Sequence, residues 1–235
     1  MKILAIDTSN YTLGIALVDD DKIIGEYITN IKKNHSVRVM PAIEMLLKDC
    51  DTLPQDIEKI VVAEGPGSYT GVRIGVTIAK TLAWTLNIPL SGVSSLAVLA
   101  ASAGSYFNGV ISPLFDARRG QIYTGLYQFQ ESRLLDLASD HLTLTVNWTQ
   151  RLLNREEPVL FVGNDLSIHK EQIKADLGDR AYFARLTEQN PRPSELAILG
   201  RDKEAVDIHN FVPNYIRLAE AEAKWIEASK GSKLQ

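Results

Sequence analysis

The chain has 235 residues, 45% of them hydrophobic and 23% charged, with a formal net charge of −4. That length makes one large domain or two small ones, and the charge lacks the positive field that draws a protein unaided to nucleic acid or an anionic membrane. A single cysteine, Cys50, excludes an internal disulfide, and Asp7 interrupts the first apolar run too early for a signal peptide. No apolar stretch approaches the ~20 residues of a membrane span, so a cytoplasmic protein with no membrane partner is expected.

Three β-branched runs open the chain, "KILAID" (2–7), "LGIALVDD" (13–20) and "IIGEYIT" (23–29), joined by short polar turns that read as hairpins. Apolar residues at helical spacing follow over 36–50, with Val39, Ile43 and Leu46 on one face and Val37, Met40, Glu44 and Leu47 on a second. Pro41 inside it predicts an early kink or a start near residue 41. Next come a strand at 59–63, a helix over about 71–86, a strand at 88–94 and a small-residue helix at 95–104.

The second half repeats this order. Strand-like runs at 109–117, 121–129 and 133–139 precede a helix at 146–155, a strand at 158–163 and a helix at 167–177. Both first strands end in aspartate, Asp7 and Asp116, and both fourth strands run into glycine, "VVAEGPG" and "LFVGND". A duplicated βββαβα plan with two mixed sheets is therefore expected, an α/β fold in two subdomains at 1–105 and 106–235. A short helical run at 191–200 and a polar helix at 213–229, which can pack back on the first subdomain, close the chain.

The plan resembles the ASKHA superfamily (actin, hexokinase and DnaK-type ATPases), in which the two first hairpins grip nucleotide phosphates across a cleft. The motifs "ILAIDTSN", "HSVRVMPAI", "GPGSYTGVRIG", "AKTLAW", "GVSSL", "DARRGQIY" and "VPNYIR" resemble more closely the TsaB family. That resemblance covers nearly the whole chain. It implies a subunit of the machinery that makes threonylcarbamoyladenosine in tRNA, binding a catalytic paralogue of the TsaD type, joined by an ATPase subunit of the TsaE type, and touching tRNA only through the complex. It also implies a non-catalytic role with no cofactor, and a homodimer through the same helices when the chain is alone.

The residues themselves bear on each point. The histidines are His35, His141, His169 and His209, so no two share a helical face at three- or four-residue spacing. TsaD-type proteins carry an HxxxH pair; here Val39 stands four residues after His35, and a valine cannot ligate a metal. The simpler reading of His35 is a place beside a helix N-terminus capped by Ser36. With no HExxH and a lone cysteine, protease chemistry is not expected.

Nucleotide chemistry needs a closer look. Asp7, Thr8 and Ser9 carry the superfamily's phosphate-side chemistry, and Asp116 is its counterpart in the second half. Yet Arg118 and Arg119 stand where small residues admit phosphate, and the purine-side turn keeps one glycine, Gly163, followed by Asn164 and Asp165. The cleft positions Asp7, Thr8, Ser9, Asp116, Arg118 and Gly163 therefore read as degenerate. An independent ATPase or small-molecule kinase using Asp7 and Asp116 is the alternative. A direct tRNA-binding module, with Lys32-Lys33, Arg118-Arg119 and Arg151 with Arg155 as its basic candidates, is a third.

The glycine turn lacks the lysine of a GxxxxGK[ST] loop, and its glycines at 65, 67 and 71 miss GxGxxG by one residue. Ser68 and Thr70 suit a turn that caps the next helix, whose first-turn Arg73 opposes the macrodipole unless an acid meets it. Gly71, Gly75, Ala79 and Ala83 then recur every fourth residue, flanked by Ile74, Ile78 and Leu82. Two helical glycines cost about 1 kcal/mol each against alanine, which makes sense where another backbone approaches closely. Whether that backbone is a partner's or this chain's own sheet is left open by spacing alone. The resemblance implies a partner: this helix and the one after His35 would form a four-helix contact with an equivalent pair.

Overall fold

The computed structural model describes residues 1–216. The first hairpins are β1 (Lys2–Asp7), β2 (Thr12–Asp19) and β3 (Lys22–Asn30), followed by α1 (Val39–Asp49), β4 (Lys59–Gly65), α2 (Tyr69–Leu86), β5 (Leu90–Ser94) and α3 (Ser95–Gly104). The second half gives β6 (Val110–Asp116), β7 (Gln121–Gln130), β8 (Arg133–Leu144), α4 (Thr145–Leu152), β9 (Val159–Val162) and α5 (Leu166–Leu177). A three-residue strand, β10 (Ala181–Phe183), and α6 (Pro193–Arg201) complete the described elements.

The two halves build the same sheet. Strand order is β3-β2-β1-β4-β5 in one and β10-β9-β6-β7-β8 in the other. In each, the first three strands pair antiparallel and the helix crossovers add parallel strands, β4 on β1 and β9 on β6. The expected α/β duplication is what the chain forms. Tight hairpins can only return a strand antiparallel, and a helical crossover returns it parallel.

On one face of the first sheet α1 and α2 lie over a core in which Val39, Ile43 and Leu46 meet Leu4, Ile6, Leu13 and Val62, with Val72 and Val76 beside them. The second sheet carries α4 and α5 in the same way, around Trp148, Phe161 and Ile173. The remaining faces are covered by exchange. Residues Leu96, Leu99 and Ala100 of α3 pack on Ile111, Phe115 and Tyr127 of the second sheet. Leu196 and Ala197 of α6 pack on Ile3, Ala5, Ala16 and Val61 of the first. The half-chains thus share a central helical layer, and each buries a helix of the other.

Several boundaries differ from the sequence reading. The run at 36–50 splits into a one-turn 3-10 segment, His35–Val37, and α1 from Val39. Asn34, not Ser36, caps the former, its side chain accepting from the Ser36 N–H. Pro41 sits in the first turn of α1, where its missing N–H has no helical acceptor to lose. Strand β8 continues to Leu144 because its pairing with β7 absorbs an irregularity near Gly125 and resumes at Thr124 and His141. β10 is too short to carry a period of its own. Of the helix expected at 213–229, residues 213–216 are not helical and the rest lies outside the described residues.

Candidate functional site

The turn after β1 is the place to ask whether a phosphate fits. Asp7 is buried; its Oδ1 accepts the Ser9 N–H at 2.8 Å, and its Oδ2 has no partner. Burial pushes this carboxyl above the usual aspartate range. The hydroxyl of Thr8 donates to the Gly71 carbonyl at 2.7 Å, and the Ser68 N–H donates to the Ser9 carbonyl at 2.7 Å. A Cβ at Gly67, Gly71 or Gly75 would lie 2.1, 2.2 and 2.4 Å from Ser9 O, Thr8 O and Thr8 Oγ1. These glycines let one turn of the chain lie directly on another, and the backbone they admit is this chain's own.

This corrects the partner reading of the small-residue stripe. Gly71, Gly75, Ala79 and Ala83 are all buried, the two alanines within the core under α2. Leu47 is buried in the same core, and Ile74, Ile78 and Leu82 are half-buried against it. Spacing had identified the face that permits close approach; the approach is internal. Ser68 caps α2 as expected, its Oγ accepting the Gly71 N–H at 3.3 Å, and Asn87 ends the helix in the left-handed region at φ 55°.

The second hairpin is tied down differently. Asp116 Oδ1 meets His169 Nε2 at 3.0 Å, and His169 Nδ1 meets the Thr145 hydroxyl at 2.8 Å. The Asp116 N–H donates to Asp165 Oδ2 at 3.0 Å. Asp116 is therefore committed to bracing the turn against α4 and α5. Gly163 approaches the Leu114 carbonyl so closely that a Cβ would lie 2.2 Å from it, which accounts for the glycine without a purine. Arg118 and Arg119 stand exposed at the hairpin tip, both with positive φ, 66° and 55°.

His35 Nε2 donates to the Asn10 carbonyl at 2.8 Å, and Val39 is fully buried. Among the described residues no three His, Cys, Asp or Glu side chains converge as metal ligands would. The basic candidates Lys32-Lys33, Arg118-Arg119 and Arg151 with Arg155 belong to different elements and form no common run on one of them.

What remains open is the outer surface of α1 and α2. Both helices lie on the same face of the first sheet, and the 3-10 turn carrying Val37 touches α2. Val37 is 69% exposed, Met40 45% and Trp84 67%; Glu44 and Met45 are exposed on α1, and Tyr69 is exposed where its ring meets Tyr215. Of these, Val37, Met40 and Glu44 were legible as a second helical face. Met45 and Tyr69 were missed as surface residues, because their exposure depends on which side of each helix the sheet takes. Beside α2 a cavity of about 320 Å³ is lined by Tyr69, Arg73, Val76, Lys80, Phe211 and Tyr215. Arg73 lies over the Tyr69 ring at 5.3 Å, and no ion pair to it occurs among the described residues.

No helix among the described residues is long and apolar enough to cross a membrane. Comparison with known proteins now bears on identity. Residues 22–225 match a family model described as TsaD, tRNA N6-adenosine threonylcarbamoyltransferase. The tRNA threonylcarbamoyladenosine biosynthesis protein TsaB of Bacillus subtilis is 61% identical, over 98% of this chain and 100% of that protein. The TsaB of Escherichia coli is 37% identical over 56% of this chain and 57% of its own. Among solved structures, YeaZ from Pseudomonas aeruginosa superposes with a TM-score of 0.75 at 26% identity, covering 91% of this chain and 99% of that one. A ROK hexokinase from Thermus thermophilus, 12% identical, reaches a TM-score of 0.51 over 86% of this chain and 99% of its own, a likeness of fold alone. With a TsaB protein matched end to end at this identity and the TsaD family model matched over most of its length, the chain belongs to the TsaB family of tRNA threonylcarbamoyladenosine biosynthesis proteins, within the wider TsaD family.

Proposed function

We propose that this chain is a non-catalytic, activating subunit of the complex that transfers a threonylcarbamoyl group to the adenosine beside the anticodon, and that it docks on a TsaD-type catalytic paralogue through the outer face of α1 and α2. The observation that carries the reading is the exposed apolar side chains Val37, Met40 and Met45, on the His35–Val37 turn and α1, together with Trp84 on α2 over the same sheet face. Such a set loses water only when a second surface covers it, and aromatic and methionine side chains are the anchors that protein interfaces favour. Unlike the buried glycine and alanine stripe, these side chains are available to a partner.

The two phosphate-side turns support the non-catalytic half of the reading. One is filled by the glycine turn, and the other is committed to His169 and Asp165. Activation would then be conformational: docking raises the paralogue's active population only if this chain binds that state more tightly than the inactive one. In the absence of the paralogue the same apolar helix face can be self-complementary about a twofold axis, giving a homodimer. A TsaE-type ATPase joining the pair, tRNA reached only through the complex, and a cytoplasmic location follow from the same reading.

The test supplies threonylcarbamoyl-adenylate and unmodified tRNA to the paralogue, to this chain, and to both, and quantifies the modified adenosine. Product that appears, or rises at least tenfold, only with both proteins is the expected result. Equal product from the paralogue alone would overturn activation.

A further inference from the structure

The two lobes meet at the mouth of the space between them, where the start of β2 and the end of β3 reach the turn after β9. Chains built this way open and close about the joint between lobes unless something spans the gap. In this protein the span is made of side-chain amides. Asn190, in the segment between β10 and α6, directs its Oδ1 to two amide donors, with the Thr12 hydroxyl beside them. The Asn30 Nδ2 donates to it at 2.6 Å from the end of β3, and the Asn164 Nδ2 donates at 2.6 Å from the turn after β9. The Thr12 hydroxyl, at the start of β2, lies 3.2 Å away and 2.8 Å from the Asn30 Oδ1. Thr12 and Asn30 are register partners in the first sheet, whereas Asn164 belongs to the second half.

We infer that Asn190 is a built-in clasp: one carboxamide oxygen ties the first sheet's β2–β3 edge to the second lobe's β9–α5 turn and holds the cleft shut without any ligand. Three features support more than a chance contact. Thr12 is fully buried, so its hydroxyl has no water to exchange for Asn190 or Asn30. Below it the Asn10 side chain accepts the Thr12 N–H at 2.6 Å, fixing the turn that presents it. On the far side Pro191 is buried and α6 begins at Pro193, so the segment carrying Asn190 is anchored on the first lobe immediately after the clasp. A second tie, the Ser94 hydroxyl donating to Asp140, joins the lobes at the central helical layer rather than at the cleft mouth.

The consequence is mechanical and holds whether or not the chain acts through a partner. With the mouth clasped, the α1–α2 face and the Arg118–Arg119 hairpin tip keep a fixed separation, and the fold has no ligand-driven closure left to make.

Because Asn190 uses only its oxygen, the substitutions separate clasp from side-chain size. Asn190→Asp keeps an acceptor for both amide donors, whereas Asn190→Leu keeps the volume and loses the acceptor. Spin labels at Lys33→Cys and Glu171→Cys in a Cys50→Ser background report the lobe separation by pulsed electron-electron resonance. The parent chain and Asn190→Asp should give one narrow distribution. Asn190→Leu should give a broader one, displaced to longer distance by more than the parent's width, with the thermal transition still cooperative. If Asn190→Leu does not fold, Asn164→Ala removes the second lobe's donor alone and should open the mouth in the same sense. Unchanged distributions in the folded variants would overturn the clasp, and a broad distribution in the parent would overturn it as well.

Discussion

The helix pairs α1–α2 and α4–α5 occupy equivalent places on equivalent sheets, yet their outer surfaces differ. On the first pair, Val37, Met40 and Met45 stand exposed on the His35–Val37 turn and α1, and Trp84 on α2, among Glu44, Lys48, Thr77 and Thr81. On the second, Ile168 is exposed among Lys170, Glu171, Lys174 and Asp176 of the same helix, and Val146 stands near Arg151 on α4. Charged neighbours keep the second surface solvated. The duplicated architecture does not distinguish the lobes; the proposal that the first meets a partner rests on the side chains of its helix pair. The same contrast runs through the hairpin turns, where the first is filled by backbone and the second is braced by the Asp116–His169–Thr145 chain.

The largest effect that would break this contrast is a side chain inside the first lobe. Gly75→Leu must displace Thr8, and overpacking of this kind costs about 3 kcal/mol or more. A thermal melt should show a drop of many degrees. A variant that melts like the parent but no longer pairs would restore the glycine stripe to the interface.

Next in size is the outer face. Trp84→Glu should weaken association with the paralogue by at least tenfold, as loss of an exposed aromatic anchor costs about 2 kcal/mol, while the melting temperature stays unchanged. Ile168→Glu, on the equivalent surface of the second lobe, should leave association as it was. Equal losses from both, measured by calorimetric titration, would erase the distinction between the lobes.

The aspartates sharpen the comparison through pH. Burial raises Asp7 in the folded chain, so the stability this group contributes is present below the unfolded value of 3.8 and is lost as pH rises through the folded one. Asp7→Asn should therefore flatten the decline with rising pH and raise stability at pH 7, because a neutral amide places no charge in the buried site. Asp116→Asn, which disturbs the His169 contact, should give no such gain. Denaturant titrations of both variants at pH 4 and pH 7 read the difference. The smallest expected effect is Ser68→Ala, about 1 kcal/mol through loss of the α2 cap, visible as a lower denaturation midpoint.

Much of this molecule is set by its amino-acid order. β-Branched runs separated by short polar turns in β1–β3 and β6–β8, helical spacing in 36–50 and 71–86, and the repeated aspartate and glycine positions dictate two βββαβα halves, because local pattern decides which element each segment forms. Even Val37, Met40 and Glu44 could be read as a second face of their helix. What spacing could not assign is whose backbone fills a glycine face. Gly71 and Gly75 allow approach by anything without a Cβ to oppose it, and only the docking of α2 over Thr8 and Ser9 shows that the approach is internal. The Asn190 clasp was likewise invisible, since its four residues lie at 12, 30, 164 and 190 and meet only when the lobes do. A sequence specifies local periods and permissions directly, whereas contacts between distant segments exist only once two independently folded surfaces are brought face to face.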